Sequence, residues 1–94
     1  MKHVMLDAYG VEENHANDIL HIYSLLNELA FVCGLEPIAP PQLIPYYYGK
    51  VKEDVGISSF VLLKGGHITI HTFPLRQCYF VDCLSSKDFD EKVF

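Results

Sequence analysis

The stretch K-G-G-H-I-T-I-H-T-F-P, Lys64 to Pro74, gathers the side chains of this sequence best suited to chemistry: two histidines four apart, threonines among them, and two glycines in front. Imidazole can bind a metal, shuttle a proton or serve as a neutral hydrogen-bonding group. In a strand, His67, Thr69, His71 and Phe73 share one face, and Ile68, Ile70 and Thr72 take the other. At strand rise, positions 67 and 71 lie roughly 13 Å apart, too far to share one ion, although the same spacing on a helix suits zinc. A metal site built from this pair is therefore excluded, and no metal is expected. What remains is either the polar outer face of a half-exposed sheet or a face that holds a site. Gly65-Gly66 reads as a tight two-residue hairpin turn, where positive φ angles favour glycine.

The elements that must position this strand are legible from period and punctuation. Lys2 to Tyr9 alternates, with Val4, Leu6 and Ala8 on one parity and His3, Met5, Asp7 and Tyr9 on the other, before Gly10 ends the run. From about Asn14 to Cys33, apolar Ile19, Ile22, Leu26, Leu29 and Cys33 recur at three and four, with Gly34 as a left-handed stop. This pattern predicts one amphipathic helix. Glu36 to Tyr48 carries Pro37, Pro40, Pro41 and Pro45, so only an irregular or edge strand fits there. Val55 to Leu63, His67 to Phe73 and Cys78 to Leu84 are rich in β-branched and aromatic residues and predict a three-stranded antiparallel meander. Ser85 or Ser86, with Asp88 following, reads as the N-cap of a second helix that leaves Phe89, Val93 and Phe94 with nothing to pack on.

Ninety-four residues, half of them apolar, suit a single domain, residues 1–94, with one small core and a tendency to need a partner subunit. A net charge of −5 with scattered Lys and Arg leaves no basic stripe for nucleic acid or an anionic membrane. No apolar run is long enough to span a bilayer, and Met-Lys-His-Val-Met-Leu-Asp gains a carboxylate too early for a signal peptide, so a cytoplasmic protein is expected. Cys33, Cys78 and Cys83, an odd number without a C-x-x-C pair, read as buried free thiols. Tyr46-Tyr47-Tyr48 could stack on a nucleobase, but without interleaved basic residues it reads as the cover of a core rim or interface.

H-I-T-I-H-T-F-P resembles the signature S-H-L-T-I-H-T-W-P-E of the short, prokaryotic-type S-adenosylmethionine decarboxylases. Gly56-Ile57-Ser58-Ser59-Phe60-Val61 resembles that family's G-V-S-G-V-V. His3 to Gly10 resembles its H-L-x-x-D-x-Y-G start, and Val81-Asp82 falls on its V-D. The resemblance implies an α+β sandwich, one antiparallel sheet with helices on one face, in a protein that forms dimers. The family's last helix and strand have no counterpart beyond Phe94.

In that family, the serine before the first histidine attacks its own preceding carbonyl, and the chain breaks through an ester. The serine becomes a pyruvoyl group, the electron sink for decarboxylation. The matching residue here is Gly66, so no pyruvoyl cofactor is expected. By the resemblance, Ser58 matches a serine implicated in processing and His71 the histidine that assists it. Ser86 matches the cysteine that protonates the product, Gly65 the acidic residue before the cleavage site, and Leu75 the glutamate after W-P. Asp7, Tyr9 and His67 are candidate pocket residues. Cys83 falls on the wrong strand face to replace the missing thiol.

Three functions follow as expectations. The first is a decarboxylase-like protein of polyamine biosynthesis that cannot self-process and acts as a binding or regulatory subunit, as a homodimer or with an active paralogue. The second is an active decarboxylase using variant chemistry, and the third a module that binds an S-adenosylmethionine-like ligand.

Overall fold

A computed structural model describes residues 1–47 and 50–93 of the chain. Five strands form one antiparallel sheet: β1 (Lys2–Tyr9), β2 (Gln42–Tyr46), β3 (Gly56–Leu63), β4 (Gly66–Phe73) and β5 (Cys78–Ser85), in the order β1-β5-β4-β3-β2. The expected meander is β3-β4-β5. β1 pairs along its full length with β5, from Lys2 opposite Ser85 to Tyr9 opposite Cys78. The proline-rich segment supplies β2 at the sheet edge, where one row of backbone groups goes unpaired and Pro45 is tolerated. Tyr46 ends β2, Tyr47 donates its hydroxyl to Asn17 at 3.0 Å, and Tyr48 lies outside the described residues.

The single helix expected over 14–33 is interrupted. α1 (Glu13–Ala16) and α2 (Ile19–Val32) are separated at Asn17 and Asp18. Asp18 adopts an extended conformation, and its carboxylate accepts the N–H groups of Leu20 at 3.0 Å and His21 at 3.2 Å. A carboxylate that caps a new helix competes with continuing the old one. Ile19, at the first turn, is exposed as a result. Ile22, Leu26, Leu29, Ala30 and Cys33 pack on the sheet, and Gly34 stops the helix with φ +68°.

The core is the layer between α2 and one sheet face. Ile57, Val61 and Leu63 of β3, Ile68 and Ile70 of β4, and Val81 and Cys83 of β5 all point into it. Thr72 is buried there too, and its hydroxyl accepts the Ile57 N–H at 2.9 Å. The three cysteines are free and buried. Burial pushes the Cys83 thiol up to about 11, reinforced by neighbouring Cys33 and Asp82.

The expected second helix does not form at Ser85. That residue ends β5, paired with both Lys2 and Gly66, and its hydroxyl accepts the Lys87 N–H at 3.0 Å. Asp88 caps only its own neighbour Phe89, and one 3₁₀ turn follows at Glu91–Val93. Phe89 is not stranded: it is 6 % exposed and joins the core. Lys2 fastens this tail, donating to the Phe89 carbonyl at 2.7 Å, lying 3.4 Å from Asp88 and 3.5 Å from Glu91, and approaching the Phe89 ring. Phe94 lies outside the described residues.

Candidate functional site

With helices on one face, alternation sends His3, Met5, Asp7 and Tyr9 of β1 to the other, alongside Phe80, Asp82 and Leu84 of β5, His67, Thr69, His71 and Phe73 of β4, and Ser58 of β3. Register then decides which of these meet. Ser58 stands directly opposite His71, with the hydroxyl oxygen 3.2 Å from Nδ1. The His71 ring stacks on Phe73 at 4.7 Å between centroids, Phe73 meets Phe80 edge-on at 5.8 Å, and Phe80 meets Tyr9 at 6.1 Å. This aromatic row fixes the imidazole from one side while Ser58 holds it from the other.

A groove of about 530 Å³ opens beside this pair, lined by Ile44, Pro45, Tyr46, Asp54, Ser58, His71 and Phe73. Its walls are largely apolar, with the Ser58 and Tyr46 hydroxyls, an imidazole and a carboxylate as polar groups, a composition common to small-molecule sites. Arg76 holds two of the lining residues, donating to Asp54 at 3.0 Å and lying 5.8 Å from the Phe73 ring centre.

Toward the other end of β4 is a second polar cluster. Asp82, on β5 between the two histidine strands, accepts hydrogen bonds from His3 Nε2 and, at 3.1 Å, His67 Nε2. Burial works to raise the Asp82 pKa, but hydrogen bonds and charge from the two imidazoles outweigh it and hold the carboxyl below its ordinary value. Parity alone placed His3 and His67 on the open face; only the β1-β5-β4 order puts Asp82 between them. Among the described residues no cluster of His, Cys, Asp and Glu is arranged to hold a metal ion.

The remaining sequence-derived residues separate into two places. Asp7 is exposed opposite Phe80, Tyr9 is 71 % exposed at the end of the aromatic row, and His67 belongs to the Asp82 cluster; none of the three lines the groove. Ser86 sits at the β3–β4 turn, its N–H donating to the Gly65 carbonyl at 2.9 Å. That turn is Lys64-Gly65, one residue earlier than expected. Gly65 alone has positive φ, +75°, while Gly66 is already the first residue of β4, opposite Leu63 and Ser85. A Cβ on Gly66 would lie inside contact distance of the Leu84 carbonyl oxygen and the Ser85 Cα, and a Cβ on Gly65 would collide with the Ser86 hydroxyl. Of the two residues that the resemblance aligns with the cleavage site, Gly66 is thus crowded by backbone and Gly65 is held to glycine by its positive φ.

Fold and site together define a two-layer α+β protein whose sheet carries a serine–histidine pair on its open face. The sequence model of the S-adenosylmethionine decarboxylase family matches residues 2–94, and the chain belongs to that family. The S-adenosylmethionine decarboxylase proenzyme of Brevibacillus brevis is 29 % identical over 82 residues, which cover 87 % of this chain and 56 % of the relative. The chain thus spans little more than half the length of that curated relative. The crystal structure of the adenosylmethionine decarboxylase from Aquifex aeolicus VF5 matches with a TM-score of 0.69 at 26 % identity, over 89 % of this chain and 66 % of that one. Among the described residues no helix is long and apolar enough to cross a membrane.

Proposed function

We propose that this chain is a cytoplasmic, non-processing member of the S-adenosylmethionine decarboxylase family that serves polyamine biosynthesis as a binding or regulatory subunit, paired with a second copy or with an active paralogue. The observation that carries the reading is Gly66. It stands where the family's pyruvoyl precursor serine belongs, it has no hydroxyl to form the ester, and its surroundings admit no Cβ. The residues present therefore do not fit a pyruvoyl group.

A paired state is supported by the length of β4. Gly66 and His71 are five residues apart, roughly 17 Å at strand rise, so within one chain the cleavage-site equivalent and the Ser58–His71 pair cannot meet. A partner is needed to bring a Ser58–His71 pair to a precursor serine, and this chain retains the pair while lacking the serine. Intact mass spectrometry tests the reading: one uncleaved chain of 10.7 kDa is expected. Two fragments, the second with a blocked N-terminus beginning near position 66, would overturn it.

The groove at His71 favours a second reading, a module that binds an S-adenosylmethionine-like ligand without turning it over. Ligand at a hundredfold its dissociation constant adds about 2.7 kcal/mol to stability, so a thermal shift with S-adenosylmethionine is expected here and its absence at millimolar ligand argues against it. The Ser58–His71 contact also keeps variant decarboxylase chemistry as an alternative. Release of carbon dioxide from carboxyl-labelled S-adenosylmethionine, by protein free of host enzyme, would establish that alternative.

A further inference from the structure

The break between α1 and α2 builds a second cavity, on the helix side of the sheet and so on the face opposite the groove. On an unbroken helix, His15 and His21 would lie about 9 Å apart along the axis and about 120° apart round it, and their rings would not meet. Because Asp18 starts a new helix, His15 in the last turn of α1 and His21 in the first turn of α2 come together, with ring centroids 5.2 Å apart and planes 26° from parallel. Val11, just before α1, is tied to the end of the sheet by its N–H, which donates to the Gln77 carbonyl at 2.9 Å. The space between these elements measures about 190 Å³. Its apolar lining is well buried: Ala16 and Ile22 are 1 % and 2 % exposed, and Val11 and Leu25 are half-buried. Its polar groups are the two imidazoles, both exposed, and the phenol of Tyr79, which packs against the core from β5. Among the described residues, neither imidazole nor the Tyr79 hydroxyl has a hydrogen-bond partner, and Glu12 stands off from His15 at 3.9 Å.

Size, shape and charge each narrow the occupant. The cavity is smaller than the roughly 300–1,000 Å³ that holds a drug-sized ligand, which leaves room for one ring or two fused rings. The near-parallel imidazoles offer flat faces on which an aromatic ring can stack. An anion would find no permanent positive charge: the sequence has no Lys or Arg between Lys2 and Lys50, Arg76 is engaged with Asp54, and Glu12, Glu13 and Asp18 flank the two histidines. A cation would lose its water without gaining a counter-charge, since no carboxylate lines the cavity. Imidazole and phenol both donate and accept, so they suit a ring that carries donors and acceptors of its own.

We propose that this cavity binds a small, uncharged nitrogen heterocycle of nucleobase size, stacked on the His15–His21 pair and hydrogen-bonded by imidazole and by the Tyr79 hydroxyl. The ligand ties α1 to α2 and β5, none of which lines the groove, so this site stands whether or not the groove binds anything.

Adenine, uncharged at neutral pH, is the probe, and NMR amide shifts of the full chain locate it. Saturable shifts are expected at His15, Ala16, His21, Ile22 and Tyr79, with a Kd of about 1 mM or below. Benzoate and benzylamine, an anion and a cation of similar size, should bind there about tenfold more weakly or not at all. His15→Ala and His21→Ala each remove a stacking face and should raise the Kd about three- to tenfold; both replace exposed side chains, so the fold is kept. Tyr79→Phe leaves the ring in the core, removes only the hydroxyl and should weaken binding about threefold or more. His71→Ala, on the opposite face, should leave these shifts unchanged. Adenine shifts confined to the surroundings of Ser58 and His71 would overturn this site while supporting a ligand in the groove. The proposal is equally overturned if adenine shifts no residue, if benzoate or benzylamine fills the cavity as well as adenine does, or if binding survives all three cavity substitutions.

Discussion

A serine placed at position 66 should not bring about processing, and Gly66→Ser puts that to a quantitative test. The new Cβ falls inside contact distance of the Leu84 carbonyl oxygen, with the Ser85 Cα close behind. These are backbone atoms of the paired strand, so no side-chain rotation relieves the clash, and β4 and β5 must part where Gly66 faces Ser85. Overpacking of this kind costs about 1–3 kcal/mol, and loosening one ladder hydrogen bond adds about 1 kcal/mol. For a domain of this size each kcal/mol moves the melting temperature by about 4–8 °C, so the melting point should fall by about 10 °C or more. Gly66→Ala carries the same Cβ without the hydroxyl and should fall by a similar amount, which separates the steric effect from any chemistry. Circular dichroism melts measure the loss, and intact mass after prolonged incubation reports cleavage. A Gly66→Ser protein that melts with the wild type and splits in two would refute both the steric argument and the view that this turn is committed to glycine.

Asp82→Asn should cost about 1 kcal/mol at neutral pH, a modest figure because the carboxylate is partly exposed. Since Asp82 has a depressed folded-state pKa, its contribution is present above the unfolded value and fades as pH falls below about 4, so the gap from wild type in urea melts should close there. Phe89→Ala should cost about 3–5 kcal/mol, and hydrogen exchange should show the tail after Ser85 released from Lys2; a neutral effect in denaturant titration would mean the ring is not part of the core. Cys83, buried with its thiol raised to about 11, should resist alkylation at pH 8 in the folded chain and react on unfolding; prompt native labelling at this position would contradict its place in the core.

Period and punctuation located four of the five strands to within a residue, because each lies between a glycine, a turn or a proline and alternates cleanly: Lys2–Tyr9 ends at Gly10, and Gly56–Leu63 ends before Lys64-Gly65. Misreadings arose where a local polar group competed with the pattern. Asp18 sits inside a good helical period, and only its carboxylate's reach to two backbone N–H groups shows that a second helix starts there. Ser85 and Asp88 have the spacing of a helix start, but Ser85 is claimed by a third element, pairing with both neighbours in the sheet. The family motifs singled out Ser58 and His71 one by one, but their contact follows from the β3–β4 register. The His3–Asp82–His67 cluster was not, since its members come from β1, β4 and β5 and their meeting depends on β1 inserting beside the last strand. Nor could the sequence show that Gly66 is crowded as well as unreactive; that requires the Leu84 carbonyl to be placed.

The two ends of β4 bear differently on function. At one end Gly65, Gly66, Leu84 and Ser86 are fitted so closely that a single methyl group is excluded. At the other, Ser58, His71 and Phe73 face open space. Sites more than about 7–10 Å apart with no shared partners respond to substitution almost independently, and roughly 17 Å of strand separates these two. A substitution at the turn therefore leaves the groove, the Ser58–His71 contact and the aromatic row behind it undisturbed. Glycine at position 66 bears on the proposed absence of processing alone. The groove has to be tested with ligands on the uncleaved chain, where thermal shift and intact mass can give opposite answers without contradiction.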